Sequence, residues 1–507
     1  MSLIVRIVSI FTIILVVSGI FAGFWLSDTR HLKPQIETLI AKQTGYTAQL
    51  VGDLGWQWQP PLQLHAGKVE LRGNDDHIVI DRVALSVDIA ALWRDIHSWR
   101  IEELSMTDLV RTSGTQTQRL SSIIIRELSW DRPAEFSLNG EFQTDVESEP
   151  TPVTAAGRVR YQPAKQDVAQ QLVLNDVNIT SPNVTATCQA QVNLQTSARP
   201  LTSSETTELI PTDALLRYGL LGDCLISRLA LSGHVFMNTQ VTISNVDGLA
   251  NFNLESKDFF GGQLYVDTTI DARQAPIAWT IRPELESVNS QPLLVWLNQR
   301  VEWVAPLTLT SLIKMSGNSR MELAQSIKAD SRFNSEPGAI SVSTFKDQLR
   351  RFMQPLGQSD ALATWPDELQ YEDFSGHWRI DGIEHQLEVA LDHVSVSARG
   401  TYRYSDDELD MPLTLTIGEP AAGAYFSVDP VLQNTPIPFQ CTGSRRSPSC
   451  KLQEDAIQQL ITRALNPNDE SGLRRKLEEK IEKSVPAEYQ DAARGLLELL
   501  GRALRDD

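Results

Sequence analysis

Over residues 48–418 apolar and polar positions alternate in short runs that end at Gly, Asn, Asp or Pro, the texture of β-strands joined by tight turns. Val83, Leu85 and Val87 share one parity, opposite Ala84, Ser86 and Asp88. Leu387, Val389 and Leu391 alternate in the same way with Glu388, Ala390 and Asp392. Val394, Val396 and Ala398 follow in shifted parity, which predicts a turn or bulge at His393. Residues 261–267 read as a strand entered from a glycine turn. Strands with one apolar and one polar face build an antiparallel sheet that is wet on one side only. The fold class is therefore mainly β.

Helical spacing interrupts or flanks the strands. Residues 7–26 are almost wholly apolar, and about 20 helical residues rise about 30 Å, enough to cross a bilayer core. Arg6 precedes this run and Trp25 sits at its interfacial end, so residues 1–27 are predicted to be a transmembrane anchor. The competing reading is a cleaved signal peptide, but the run is long for one and no clean A-x-A site follows. Within residues 28–47 an amphipathic helix is predicted from Leu32, Ile36, Leu39 and Ile40 on one face. Residues 48–450 then form the β domain, with short helices expected at 90–96, 291–297 and 344–353 and loops at 147–152 and 202–207. After Cys450 the spacing of Leu473, Leu477, Ile481 and Val485 predicts a helical tail over 451–507, with a second helix beyond Pro486. The simplest role for that tail is a cap packed on the end of the sheet, and the alternative is a membrane-surface or partner-binding helix.

Composition narrows the function. The net charge is −19 and the basic residues are dispersed, which excludes the clustered Lys and Arg that grip nucleic acid. The cysteines are Cys188, Cys224, Cys441 and Cys450, an even count compatible with two disulfides in an exported chain. Cys441 and Cys450 bracket a short loop where a bridge closes easily, whereas spacing leaves the pairing of Cys188 with Cys224 open. No P-loop, nucleophile elbow, zincin or dinucleotide fingerprint occurs, so no catalytic residue, metal or cofactor is assigned. His377, His385 and His393 recur every eight residues, and exposed strand histidines are the simpler reading over a metal site. Charges on both sides of the apolar run leave its orientation open, although the cysteines and the large downstream domain favour the bulk outside.

The order of features resembles a known family. After the apolar run come Leu32-Lys33-Pro34-Gln35-Ile36-Glu37, Thr44-Gly45-Tyr46 and Gly52-Asp53-Leu54-Gly55-Trp56, similar to the opening of the AsmA family of Gram-negative envelope proteins. Residues 83–109 resemble its strand, short helix, strand unit. Phe260-Gly261-Gly262-Gln263, Asp271-Ala272-Arg273 and Gln291-Pro292-Leu293-Leu294 resemble its core. Gly376-His377-Trp378-Arg379-Ile380-Asp381-Gly382, Arg399-Gly400-Thr401-Tyr402 and Glu408-Leu409-Asp410-Met411 resemble its terminal strands, whereas residues 151–248 depart from the pattern. The resemblance implies a single-pass inner-membrane protein with its bulk in the periplasm. It implies an elongated, curled antiparallel sheet forming an apolar groove, akin to bridge-like lipid transfer proteins. It also implies that phospholipid is carried toward the outer membrane, supporting its biogenesis and integrity. Val83, Leu85, Val87, Leu387, Val389 and Leu391 would line that groove, where burial of acyl chains is favoured by roughly 0.8 kcal/mol per CH₂. The alternative is a non-transporting scaffold or regulator whose partners are outer-membrane or envelope assembly proteins.

Overall fold

In the computed structural model the described residues are 32–44, 46–57, 62–73, 76–87, 101–113, 116–128, 132–143, 150–162, 170–194, 208–299, 301–343, 346, 366–420, 433–434, 436–444 and 447–453. The predicted anchor, the helix at 90–96, the loop at 202–207 and the tail beyond Gln453 lie outside them, as does the helix at 344–353 apart from Lys346. Among the described residues no helix is long and apolar enough to cross a membrane. The chain divides into two compact units, Met1–Ala250 and Asn251–Asp507. The division falls inside the stretch read from the sequence as one β domain.

The first unit opens with α1 (Leu32–Thr44), β1 (Thr47–Leu50), β2 (Leu54–Gln57), β3 (Leu62–Ala66), β4 (Val69–Arg72) and β5 (Asp76–Val87). It continues with β6 (Ile101–Ser113), β7 (Gln116–Leu128), β8 (Ala134–Gln143), β9 (Thr151–Gln162), β10 (Gln170–Thr180), β11 (Val184–Leu194), α2 (Thr212–Arg217), β12 (Tyr218–Leu231) and β13 (His234–Val246). From β5 to β13 each strand pairs antiparallel with the next. On its other edge β5 takes β4 along residues 77–80 and β3 along residues 83–87, and these in turn carry β1 and β2. Asp81 and Arg82 are both exposed, and this break in alternation turns Ile78 and Ile80 to the same side as Val83. Opposite the break Asp108 adopts a φ of 50°. Leu50, Ala66, Val69 and Ile80 form a buried cluster there, packed by Ile36 of α1, Leu54, Leu71, Met106 and Leu109. The helix predicted from the 3.6-residue spacing is thus present, and its Glu37 accepts a hydrogen bond from the Leu50 amide at 2.8 Å.

β14 (Leu249–Phe259) spans the boundary between the units. The second unit contains β15 (Gly262–Asp271), β16 (Ala278–Asn289), α3 (Ser290–Trp296), β17 (Trp303–Val304), β18 (Pro306–Ser316), α4 (Arg320–Ser326), β19 (Lys328–Ser335), β20 (Gly338–Ser341) and β21 (Glu368–Tyr371). β22 (Phe374–Asp381), β23 (Glu384–Leu391), β24 (Val394–Arg403), β25 (Glu408–Ile417), β26 (Ile437–Ser444) and β27 (Ser447–Leu452) complete it. The order β15, β16, β18, β19, β22 through β27 is antiparallel throughout. β17, β20 and β21 form a separate three-stranded sheet. The predicted turn before β15 is present: Phe260 and Gly261 take φ of 51° and 81°, as a tight hairpin turn with the right strand twist requires. The parity shift at His393 is a turn too, with Asp392 at φ 48°.

Two boundaries differ from the sequence reading. The loop expected at 147–152 does not extend to residue 152, because Thr151 and Pro152 belong to β9, where Pro152 faces Glu141. The tail expected from residue 451 does not begin there, because Lys451 and Leu452 extend β27 in register with Gln440 and Phe439.

Candidate apolar binding faces

Each unit presents one apolar sheet face, built row by row from the strand registers. In the first unit Val83 lies opposite Met106, which lies opposite Ile123, then Leu138, Ala155, Ile179, Ala186 and Ile226 in turn. The adjacent row runs from Leu64 through Leu85, Leu104, Ile125 and Phe136. Bulges between β9, β10 and β11 preserve the sidedness, since Asp176 takes φ 51° and returns Val177 to the apolar side. In the second unit one row joins Leu309, Phe333, Gly376, Val389, Val396, Leu415 and Ile437, and its neighbour joins Trp378, Leu387, Ala398, Leu413 and Phe439.

The opposite faces are polar ladders. In the first unit Arg126 pairs with Glu103 at 3.1 Å, Asn139 donates to Ser122 at 3.1 Å, Arg158 pairs with Asp176, and Thr187 donates to Asn178 at 2.9 Å. In the second unit Arg282 meets Asp267 at 2.8 Å and Lys328 meets Asp381 at 3.0 Å.

Burial separates most of the first-unit rows from a closed core, whereas in the second unit Ala398, Leu415, Ile437 and Phe439 are buried at 0–5% exposure. Val83, Leu85, Leu104, Met106, Ile123, Ile125 and Leu138 are all half-buried. In a sandwich, where a second sheet packs about 10 Å away, the inner faces interdigitate into a close-packed core. Leu387, Val389 and Leu391 are half-buried as well, while Glu388 and Ala390 on the other side are exposed. Burial thus follows the predicted parity at Leu387, Val389 and Leu391, whereas on β5 Ala84 is half-buried just as Val83 and Leu85 are. Val87 pairs with Leu62 and Ile101. Ser86, on the opposite parity, is buried at 4% exposure and accepts a hydrogen bond from Gln63 at 3.2 Å.

One end of the second face is sealed by the small sheet. Tyr371 is only 1% exposed, and its hydroxyl accepts from Trp303 Nε1 at 2.6 Å and meets Ser335 Oγ at 2.8 Å. The Phe374 ring lies 4.9 Å from Trp303 and 5.3 Å from Phe333. Ser290, fully buried, donates to the Trp303 carbonyl at 2.7 Å and accepts from the Ala305 amide at 3.0 Å, so it ties the α3–β17 loop shut.

The eight-residue histidine spacing does not gather a site. His377 stands on the polar face, 3.0 Å from Asp330, whereas His385 is buried on the apolar face beside Trp378 and Tyr402 and His393 occupies the turn. Burial pushes the His385 imidazole below its ordinary range. Among the described residues no group of His, Cys, Asp or Glu could hold a metal ion.

Both cysteine pairs are disulfides. Cys188 stands directly opposite Cys224 and Cys441 directly opposite Cys450, with Cα atoms 4.1 and 3.9 Å apart. Each bridge staples neighbouring strands on the apolar side. Adjacent strands need no long loop to bring two such residues together, which is why spacing alone revealed one pair and left the other open.

These features define a class: a mainly β protein of antiparallel sheets, apolar on one side and stapled by two disulfides. The AsmA family profile matches residues 2–253, and the chain belongs to the AsmA family, whose proteins are envelope-associated. The match includes residues 151–248, the stretch that departs most from the family pattern. No curated protein and no solved structure matches the chain.

Proposed function

We propose that the protein is anchored in the inner membrane by residues 7–26, holds its bulk in the periplasm, and binds phospholipid acyl chains on its apolar sheet faces. It assists their movement toward the outer membrane and supports outer-membrane biogenesis and integrity without catalysing a reaction. The observation that carries this reading is the half-burial of the first unit's apolar rows, Leu104, Ile123, Ile125 and Leu138 above all. Side chains left at that level retain apolar surface whose removal from water is worth roughly 25 cal/mol per Å², so an acyl chain laid across them is stabilised. Two disulfides suit an oxidising compartment such as the periplasm.

Native mass spectrometry of the full chain released from detergent tests the proposal. It predicts phospholipid adducts that survive detergent exchange and decline when Met106→Asp or Val389→Asp is introduced in protein that keeps its protease resistance. Bare protein mass throughout would favour the non-transporting scaffold.

A further inference from the structure

The polar side of the first unit changes character at its last two strands. Leu221 and Leu225 of β12 and Val235 and Met237 of β13 point to that side, with exposures of 47, 49, 43 and 43%. The registers fix the assignment: Leu225 lies opposite Gln240 and Thr187, Met237 opposite Arg228, and Val235 opposite Ala230. Their neighbours toward the apolar side, Phe236, Thr239 and Val241, are buried. On β6 to β11 the same side carries the ion pairs and amide–hydroxyl bonds described above. The apolar stripe lies on two adjacent strands and gives way to polar residues at β11, the pattern of an interaction surface rather than of scattered exposed residues.

We propose that this stripe is a self-association surface through which two copies of the chain pack face to face. The charges within it single out a second copy as the occupant. Asp223 and Arg228 lie on the same face to either side of Leu225. A two-fold axis between the faces, crossing β12 at residues 225–226, lays Asp223 of one copy against Arg228 of the other and Leu225 against its own counterpart. Such a surface is self-complementary, as an isologous interface must be. Among the described residues Asp223 accepts only from Gln240, at 3.1 Å, and Arg228 gives one guanidinium nitrogen to the Pro182 carbonyl at 2.7 Å, so both keep capacity for a partner. An acyl chain on the same stripe would instead desolvate both charges without pairing them, which is costly. Four apolar side chains make a small centre, so the dimer belongs with weak, reversible interfaces of below about 1,200 Å².

The test places a photocrosslinking residue at Leu225, and at Ser137 on the same side of β8, in the full chain. The expected product is a covalent dimer from Leu225 and none from Ser137. Asp223→Arg and Arg228→Asp should each cut the dimer yield about tenfold, and the double exchange should restore it, because each side chain stays at the surface and the pair is regenerated across the axis. Capture at Leu225 of lipid alone, of an unrelated protein alone or of nothing would overturn the proposal. Failure of the double exchange to restore the dimer, in protein of unchanged protease resistance, would overturn it too.

Discussion

His385 occupies a position on the apolar face of β23 where a charge is disfavoured. Trp378 and Tyr402 lie with ring centroids 5.7 and 6.0 Å away, and burial lowers the imidazole pKa. A histidine lowered in the fold takes up protons more readily when unfolded. Its neutral form contributes stability above the ordinary histidine range, and that contribution is lost as the pH falls through that range toward the folded value. The thermal midpoint should therefore drop between about pH 7.5 and about pH 5.5, and His385→Phe should flatten the drop. Equal slopes in the two proteins would remove His385 from the account. The cysteines allow a second prediction at this scale. Closing the short Cys441–Cys450 loop should contribute about 2–3 kcal/mol in the chain-entropy model, and the longer Cys188–Cys224 loop about 3–4 kcal/mol. Alkylation under denaturing conditions without reductant should label none of the four, and the paired Ser variants should lose stability in that order.

Among the elements, the α3–β17 loop is braced by one side chain. Ser290→Ala would leave the Trp303 carbonyl and the Ala305 amide unpaired in a buried place, at a cost of roughly 1–3 kcal/mol. Urea unfolding of the variant should show this loss, whereas substitution of the exposed Gln299 should be neutral. The brace was invisible in the sequence, because a serine at a helix start carries no sign of the strand it will touch. Elsewhere legibility followed contrast between neighbours. β5, β15, β23 and β24 alternate large apolar with polar residues and were read in place. β7 hides its sidedness in the run Ile123-Ile124-Ile125, where Ile124 faces the polar side opposite Ser105 and Ser137. β9 alternates just as strictly, but with Thr, Ala, Gly and Arg, so hydropathy barely changes along it. α4 carried a usable signal, Ser319 followed by Glu322, and the capping box those residues form is present. β17, β20 and β21 have two to four residues each, too few to establish a period.

At the scale of the whole molecule, two compact units repeat one physical theme: an antiparallel sheet with polar ladders on one side and apolar rows on the other, half-buried along most of the first unit and closed in part of the second. The sidedness of the strands was legible because a period of two survives in single sequences. The pairing order that assembles the rows was not, since it depends on registers set by bulges such as the one at Asp176. On the proposed function the apolar side, and not the polar side, meets phospholipid. Photocrosslinking in cells measures this directly, with single probes at Val83, Met106, Leu387 and Val389 and at Ser122 and Glu388 on the other sides. Phospholipid should be captured by the first four and not by the last two, each variant first shown to be folded by protease resistance. Equal capture on both sides, or none on either, would contradict that function.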